Sequence, residues 1–385
     1  MLPKIGYVRA SSQTSGGSAS YEDRVLPLLI AASQDLQFEI RVLNKFGSFL
    51  EQGPNGRWDT EDQAGDFGIG RLGTRRRVNI LSASRSARKT NIEATFKTNN
   101  IDLLWFPSPS EIISQIRDIP FVMTVWDLAH RQLQVFPEFS SGTTWTRREK
   151  MYQENVGRAF HVVTDSRVTG KTLEHIYGLE TSNWSSIGLP LGNRISADYG
   201  LANQIGAPYF YYPANYWPHK NHETLLEAFR KISKPEIVLV MSGSDKGNRQ
   251  KLVDLASTSG CGDRTVFLDR VTDEEVQGLI GKSLALVMPS LLGPTNYPPL
   301  EALRLGVPAI VSDIHCFDEE PVNGLTKVAP LDSHGWTKAM NEAAEFAEST
   351  DSVSFDPEPK VDELRVILRG FASLFKLVSD GNEDR

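Results

Sequence analysis

The chain has 385 residues, of which 40% are hydrophobic and 23% charged, and a net charge of −7. That length exceeds one compact domain and suits two of roughly 150 to 200 residues. The acidic balance argues against a general nucleic-acid binder, which carries a basic surface, and two cysteines, Cys261 and Cys316, supply neither a disulfide framework nor metal-ligand spacing.

A strand-like run at residues 5–8, Ile5-Gly6-Tyr7-Val8, comes almost at once. No charged region and longer apolar core precede it, so no signal peptide is visible. No run approaches the ~18 apolar residues of a membrane span. A cytoplasmic chain is expected, working free or at the inner face of the membrane. Ser15-Gly16-Gly17-Ser18 follows, ahead of a helix starting near Tyr21. Glycine lets a backbone approach a ligand closely, and ligands collect at the carboxyl ends of α/β strands. Gly16 and Gly17 are therefore ligand-facing candidates.

Nearly continuous apolar runs recur at 39–43, 103–106, 121–125 and 161–164, as parallel strands covered on both faces require. Asp127 and His130 come just after the run at 121–125. Asp127 reads as an acceptor or sugar contact. His130 either orients a substrate hydroxyl or satisfies a core hydrogen bond, and the sequence leaves both open. A glycine pattern at 68–73 matches a dinucleotide fingerprint but lacks a preceding strand. The arginines that crowd it read as a solvated helix face. The long polar segment at 47–73 is assigned to the acceptor side.

Residues 189–207 are rich in Gly, Pro, Asn and Ser and mark a domain boundary. The strand rhythm then resumes at 209–212, 236–241, 265–268, 284–288, 309–311 and 326–328, with amphipathic stretches at 222–232 and 272–280 between. This alternation predicts an α/β fold of two doubly wound parallel-sheet domains, at residues 1–195 and 196–355. A final amphipathic helix within 356–385 carries Leu364, Ile367, Leu368, Phe371, Leu374 and Phe375. Its apolar face has to be buried, and the first domain is one candidate surface.

Two loops in the second half carry the chemistry. In Tyr211-Tyr212-Pro213-Ala214-Asn215-Tyr216-Trp217-Pro218-His219-Lys220-Asn221-His222, Lys220 stands between a strand and a helix, placed to neutralise a departing diphosphate. In Gly293-Pro294-Thr295-Asn296-Tyr297-Pro298-Pro299-Leu300-Glu301-Ala302, the prolines suit a first helical turn. The helix start favours an anion, and Glu301 is positioned to accept from ribose hydroxyls. As isolated residues, a solvated lysine and a capping glutamate would serve equally well. The histidines show no metal-ligand pattern, and no serine sits in a nucleophile elbow.

These motifs resemble glycosyltransferase family 4, retaining enzymes of the GT-B fold with two Rossmann-like domains facing a cleft. The resemblance runs through Ser15-Gly16-Gly17, Val122-Met123-Thr124-Val125-Trp126-Asp127-Leu128 with Pro137-Glu138, and Val162-Val163-Thr164-Asp165-Ser166. It continues through 212–222, Phe267-Leu268 with Val271, and 289–332. It is most specific at 212–222 and 289–313, and looks most like the bacterial branch that transfers mannose, rhamnose or fucose in surface-polysaccharide assembly. The chain departs from the family at three places: Gly293 replaces a carboxylate, Ala214-Asn215 replaces an arginine, and Trp126 replaces a histidine.

The resemblance implies a GDP-, UDP- or dTDP-linked sugar donor and a saccharide or lipid-linked saccharide acceptor. It implies no metal, no other cofactor and no nucleic-acid partner. Lys220, Asp127 and His130 would serve catalysis. Asn215, Lys220 and the amides around Thr295, Asn296 and Tyr297 would meet the diphosphate, Glu301 the ribose, and Arg270 and Val271 the base. Gly16 and Gly17 would face the donor across the cleft. Two rival readings are a sugar-nucleotide epimerase of the same fold and a non-catalytic nucleotide-sugar-binding protein.

Overall fold

The structure is a computed structural model that describes residues 2–10, 17–34, 36–52, 58–60, 92–191, 197–293, 296–314, 322–346, 353 and 361–383. Gly16, Thr295 and the glycine pattern at 68–73 lie outside these residues. Strands β1 (Lys4–Arg9) and β2 (Glu39–Asn44) precede a short antiparallel hairpin, β3 (Leu50–Gln52) and β4 (Trp58–Thr60). Next come β5 (Leu103–Phe106), β6 (Phe121–Val125), β7 (His161–Thr164) and β8 (Trp184–Ser186). Apart from the hairpin these strands form a parallel sheet in the order β2-β1-β5-β6-β7-β8.

The second parallel sheet contains β9 (Tyr209–Pro213), β10 (Val238–Ser242), β11 (Thr265–Leu268), β12 (Ala285–Met288), β13 (Ala309–Ser312) and β14 (Leu325–Val328). Its order is β11-β10-β9-β12-β13-β14. The chain winds outward from β9 in one direction, then returns to β12 and winds the other way. A crevice opens at such a reversal, beyond the carboxyl ends of the two central strands. Here those ends lead into the Lys220 and Glu301 loops. In the first sheet the reversal falls between β1 and β5. Two α/β sheets of this kind are what the alternation of apolar runs and amphipathic stretches predicts.

The inner strands β5, β6, β7, β12 and β13 are buried throughout, because helices cover both sheet faces and leave no side for polar groups. The edge strand β8 is only half covered. Its Trp184-Ser185-Ser186 carries no apolar run, so the sequence does not reveal it. Helix Gly200–Gln204 lies inside the stretch read as a loop, where a single turn is too short to show periodicity. The last helix, Val361–Glu383, lays Leu364, Ile367, Leu368 and Phe371 into the cluster that holds Tyr7, Tyr21 and Trp105. It thus covers the first sheet. Among the described residues no helix is long and apolar enough to cross a membrane.

Candidate functional site

Lys220 closes a single 3-10 turn, Pro218–Lys220, which Asn221 ends by taking a left-handed φ of 57°. Asparagine tolerates that conformation better than most side chains. Its Nδ2 donates to the carbonyls of Pro289 at 2.9 Å and Pro330 at 2.7 Å, tying the loop after β9 to those after β12 and β14. The Tyr212 hydroxyl donates to the Lys220 carbonyl at 2.9 Å, and the Leu291 N–H donates to the His219 carbonyl at 2.8 Å. The backbone of Lys220 is therefore fixed before any ligand arrives. Asn215 is held in the same way, its Oδ1 accepting from the Ser244 N–H at 2.9 Å. Gly243 allows this approach, since a Cβ there would run into the Ala214 carbonyl.

The helix Tyr297–Arg304 starts with prolines in its first turn and carries Glu301. Its carboxylate accepts from Nη2 of Arg24 at 2.5 Å, and the Arg24 guanidinium lies 4.1 Å from the centroid of the Tyr297 ring. Arg24 belongs to the helix Gly17–Gln34 of the first sheet, so this contact bridges the two halves of the molecule. Gly17 is the first residue of that helix. Asn296 is nearly buried and donates to the Gly293 carbonyl. A side chain on Gly293 would collide with it, so an amide fills the space a residue 293 carboxylate would need.

A cavity of 680 Å³ at the crevice of the second sheet is lined by Asn215, Lys220, Arg270, Val271, Asn296, Tyr297 and Glu301, together with Arg24, Lys246 and Asp273. Seven residues read from the sequence as donor contacts thus line one cavity. Four cations outweigh two carboxylates there, which suits a polyanion. Burial, then neighbouring Glu274, pushes the Asp273 carboxyl above its ordinary range. Among the described residues no group of three or more His, Cys, Asp or Glu could hold a metal ion.

A second cavity, of 320 Å³, is shared by both domains. Trp126, Asp127, Asp165 and Thr169 line it from the first, and Gly293 and Asp313 from the second. An aromatic face among carboxylates and hydroxyls suits a sugar ring, which has apolar faces and a polar rim. Asp127 is fixed there as it accepts from Arg148 Nη2 at 2.5 Å and from the Ala129 N–H at 2.8 Å.

His130 is not brought to either cavity. It is fully buried, its Nε2 is 3.1 Å from Oε2 of Glu149, and the Trp145 and Tyr152 rings pack around it. Of the two roles the sequence left open, this geometry is that of a core histidine paired through Nε2, and we assign it no substrate contact. Burial and then Arg148 hold its pKa below the ordinary value.

Sequence reasoning missed Arg24, which looks like any charged residue on a helix surface. It also missed the function of Glu138, although Pro137-Glu138 stood out as a motif. Oε1 of Glu138 is 2.6 Å from Nδ1 of His219, next to Lys220, with the Phe136 and Phe139 rings against the imidazole. Burial, then Lys220, pushes the His219 pKa down to about 4. The first domain therefore grips the Lys220 loop of the second at His219 and the helix Tyr297–Arg304 at Glu301.

Comparison with known proteins agrees with this geometry. Residues 201–365 match the family described as Glycosyl transferases group 1. The O-antigen chain mannosyltransferase RfbU of Salmonella typhimurium is 27% identical over 198 residues, 51% of this chain and 54% of that protein. The match thus spans about half the length of that curated relative. Among solved structures, the chain is similar to sucrose-phosphate synthase from Thermosynechococcus elongatus, with a TM-score of 0.65 and 15% identity, covering 98% of this chain and 100% of that one. It is also similar to HepE of Anabaena in complex with UDP and glucose, with a TM-score of 0.61 and 14% identity, covering 97% and 99%. The fold is the two-domain, Rossmann-like fold of the GT-B glycosyltransferases, and the match to the group 1 family lies in its second half.

Proposed function

We propose that the chain is a retaining hexosyltransferase of family 4. It would move a hexose or deoxyhexose from a nucleotide-diphosphate sugar to a saccharide or lipid-linked saccharide in bacterial surface-polysaccharide synthesis. One observation carries the reading: a single cavity at the strand-order reversal gathers Lys220, Asn215, Arg270, Asn296 and Glu301. The likeness to an O-antigen mannosyltransferase supports the sugar class and the pathway. The diphosphate lies against Lys220 and the start of helix Tyr297–Arg304, the ribose against Glu301, and the base near Arg270 and Val271. The donor sugar then points toward the smaller cavity at Asp127.

Retention follows from front-face attack, in which the acceptor hydroxyl bonds to the anomeric carbon as the glycosidic phosphate bond breaks. A leaving phosphate oxygen takes the acceptor proton. The protein supplies positioning and charge stabilisation of the departing diphosphate, and a closed cleft excludes water. The fixed cations do the work a metal ion would otherwise do, so chelation is expected to leave transfer unchanged.

Calorimetry against GDP, UDP, dTDP and ADP tests the reading. Selective binding of one, lost in Glu301→Ala, is the expected result, followed by nucleotide release that depends on an acceptor. Binding without turnover on any acceptor would favour a non-catalytic protein, and Gly293 and Trp126 are the departures that point that way.

A further inference from the structure

We propose that Arg24 is a donor-binding residue that the first domain delivers across the cleft, orienting Glu301 for the ribose and offering a guanidinium to the diphosphate. The inference rests on the reading of the large cavity as a nucleotide-sugar site. Arg24 extends from a helix that is anchored at the two residues just before it. The Tyr7 hydroxyl donates to the Glu22 carbonyl at 2.6 Å, and Arg9 Nη1 donates to Asp23 at 2.5 Å. Both anchors come from β1, so the helix cannot drift without disturbing the first sheet.

From this fixed base the side chain crosses to the second domain. Nη2 holds Oε1 of Glu301, and the guanidinium plane is supported by the Tyr297 ring. Nη1 is buried and meets no well-aligned hydrogen-bond acceptor among the described residues. A buried guanidinium N–H without an acceptor is costly, and a ligand oxygen entering this cavity would satisfy it. Arginine suits the task because its rigid fork can hold a carboxylate and a phosphate oxygen at once. The loop after β9 presents Ala214 and Asn215 to the same cavity.

The test uses the full chain and whichever of GDP, UDP, dTDP or ADP the wild type binds. Arg24→Ala is expected to weaken that nucleotide by about tenfold to a hundredfold, the range for one charge-assisted hydrogen bond. Arg24→Lys should recover part of the loss. A role confined to the Arg24–Glu301 clasp would lower the melting temperature of the free protein only where Glu301 is present, and would not weaken nucleotide binding. If Arg24→Ala misfolds, Arg24→Gln keeps a polar side chain without the charge and gives the same reading. Affinity equal to or tighter than wild type in these variants would overturn the proposal and make Arg24 a clasp that the ribose displaces. A wild-type protein that binds none of the four nucleotides would instead remove the donor-site reading, and this inference with it.

Discussion

In the proposed reading Lys220 and Glu301 carry the charge chemistry, and each is held in place by a neighbour. Asn221 fixes the turn that presents Lys220, and Arg24 fixes the Glu301 carboxylate. Losing one preorganised contact to a developing charge costs on the order of 3 kcal/mol, roughly a hundredfold in rate. Lys220→Ala and Glu301→Ala are each expected to lose that much in kcat/KM with little change in melting temperature. A variant that keeps near-normal transfer would take its residue out of the mechanism.

Buried histidines set the acid sensitivity. Burial pushes the pKa of His161 down to about 4, and burial followed by the nearby Lys220 pushes that of His222 down to about 3. In the unfolded chain both titrate near ~6.5. Below that value the unfolded state binds more protons than the folded one, so folding stability falls as pH drops. The contribution of these two histidines is complete above about pH 6.5 and declines progressively toward pH 3. The urea midpoint should be lower at pH 5 than at pH 7, with a smaller drop in His161→Asn; equal midpoints would contradict the assignment.

At the scale of elements, the site depends on loops that pass within van der Waals distance of each other. The loop at 214–215 can lie on the end of β10 only because residue 243 is glycine. Gly243→Ala has to push the Ala214 carbonyl away, and overpacking of this kind costs about 1–3 kcal/mol. Because the displaced backbone forms the cavity wall, nucleotide affinity should fall along with stability, as denaturation and calorimetry on one sample would show. A loss of stability with unchanged affinity would mean that the loop adjusts without moving Asn215. The helix Asp273–Gly281 illustrates the opposite case, an element legible in advance. Its Thr272 and Glu275 form a reciprocal capping box, which sequence spacing alone announces.

At the scale of the molecule, the two sheets are joined by more than the connecting chain. Glu138 reaches His219, Arg24 reaches Glu301, and the C-terminal helix covers the first sheet. Phe371 is the clearest member of that last contact, being nearly buried with its ring 6.0 Å from Phe38 and 5.7 Å from Phe160. Phe371→Ala is expected to cost about 3–5 kcal/mol, read as a lower denaturant midpoint. A loss under about 1 kcal/mol would show that this helix is not part of the first domain's core.

What the sequence by itself determined is what local chemistry dictates. Apolar runs without polar alternation require strands buried on both faces, as in β6 and β12. Proline in a first turn starts the helix that carries Glu301. A lysine after a strand marks the loop that lines the cavity. What only the tertiary structure decided are the partnerships between distant residues. His130 could have faced a substrate, until Glu149 and two aromatic rings enclosed it. Arg24 was an ordinary helix-surface arginine, until the fold set it against Glu301, 277 positions away. The physical reason is that periodicity and turn preference report a residue's own backbone, whereas charge pairing and desolvation depend on which surfaces the sheets bring face to face.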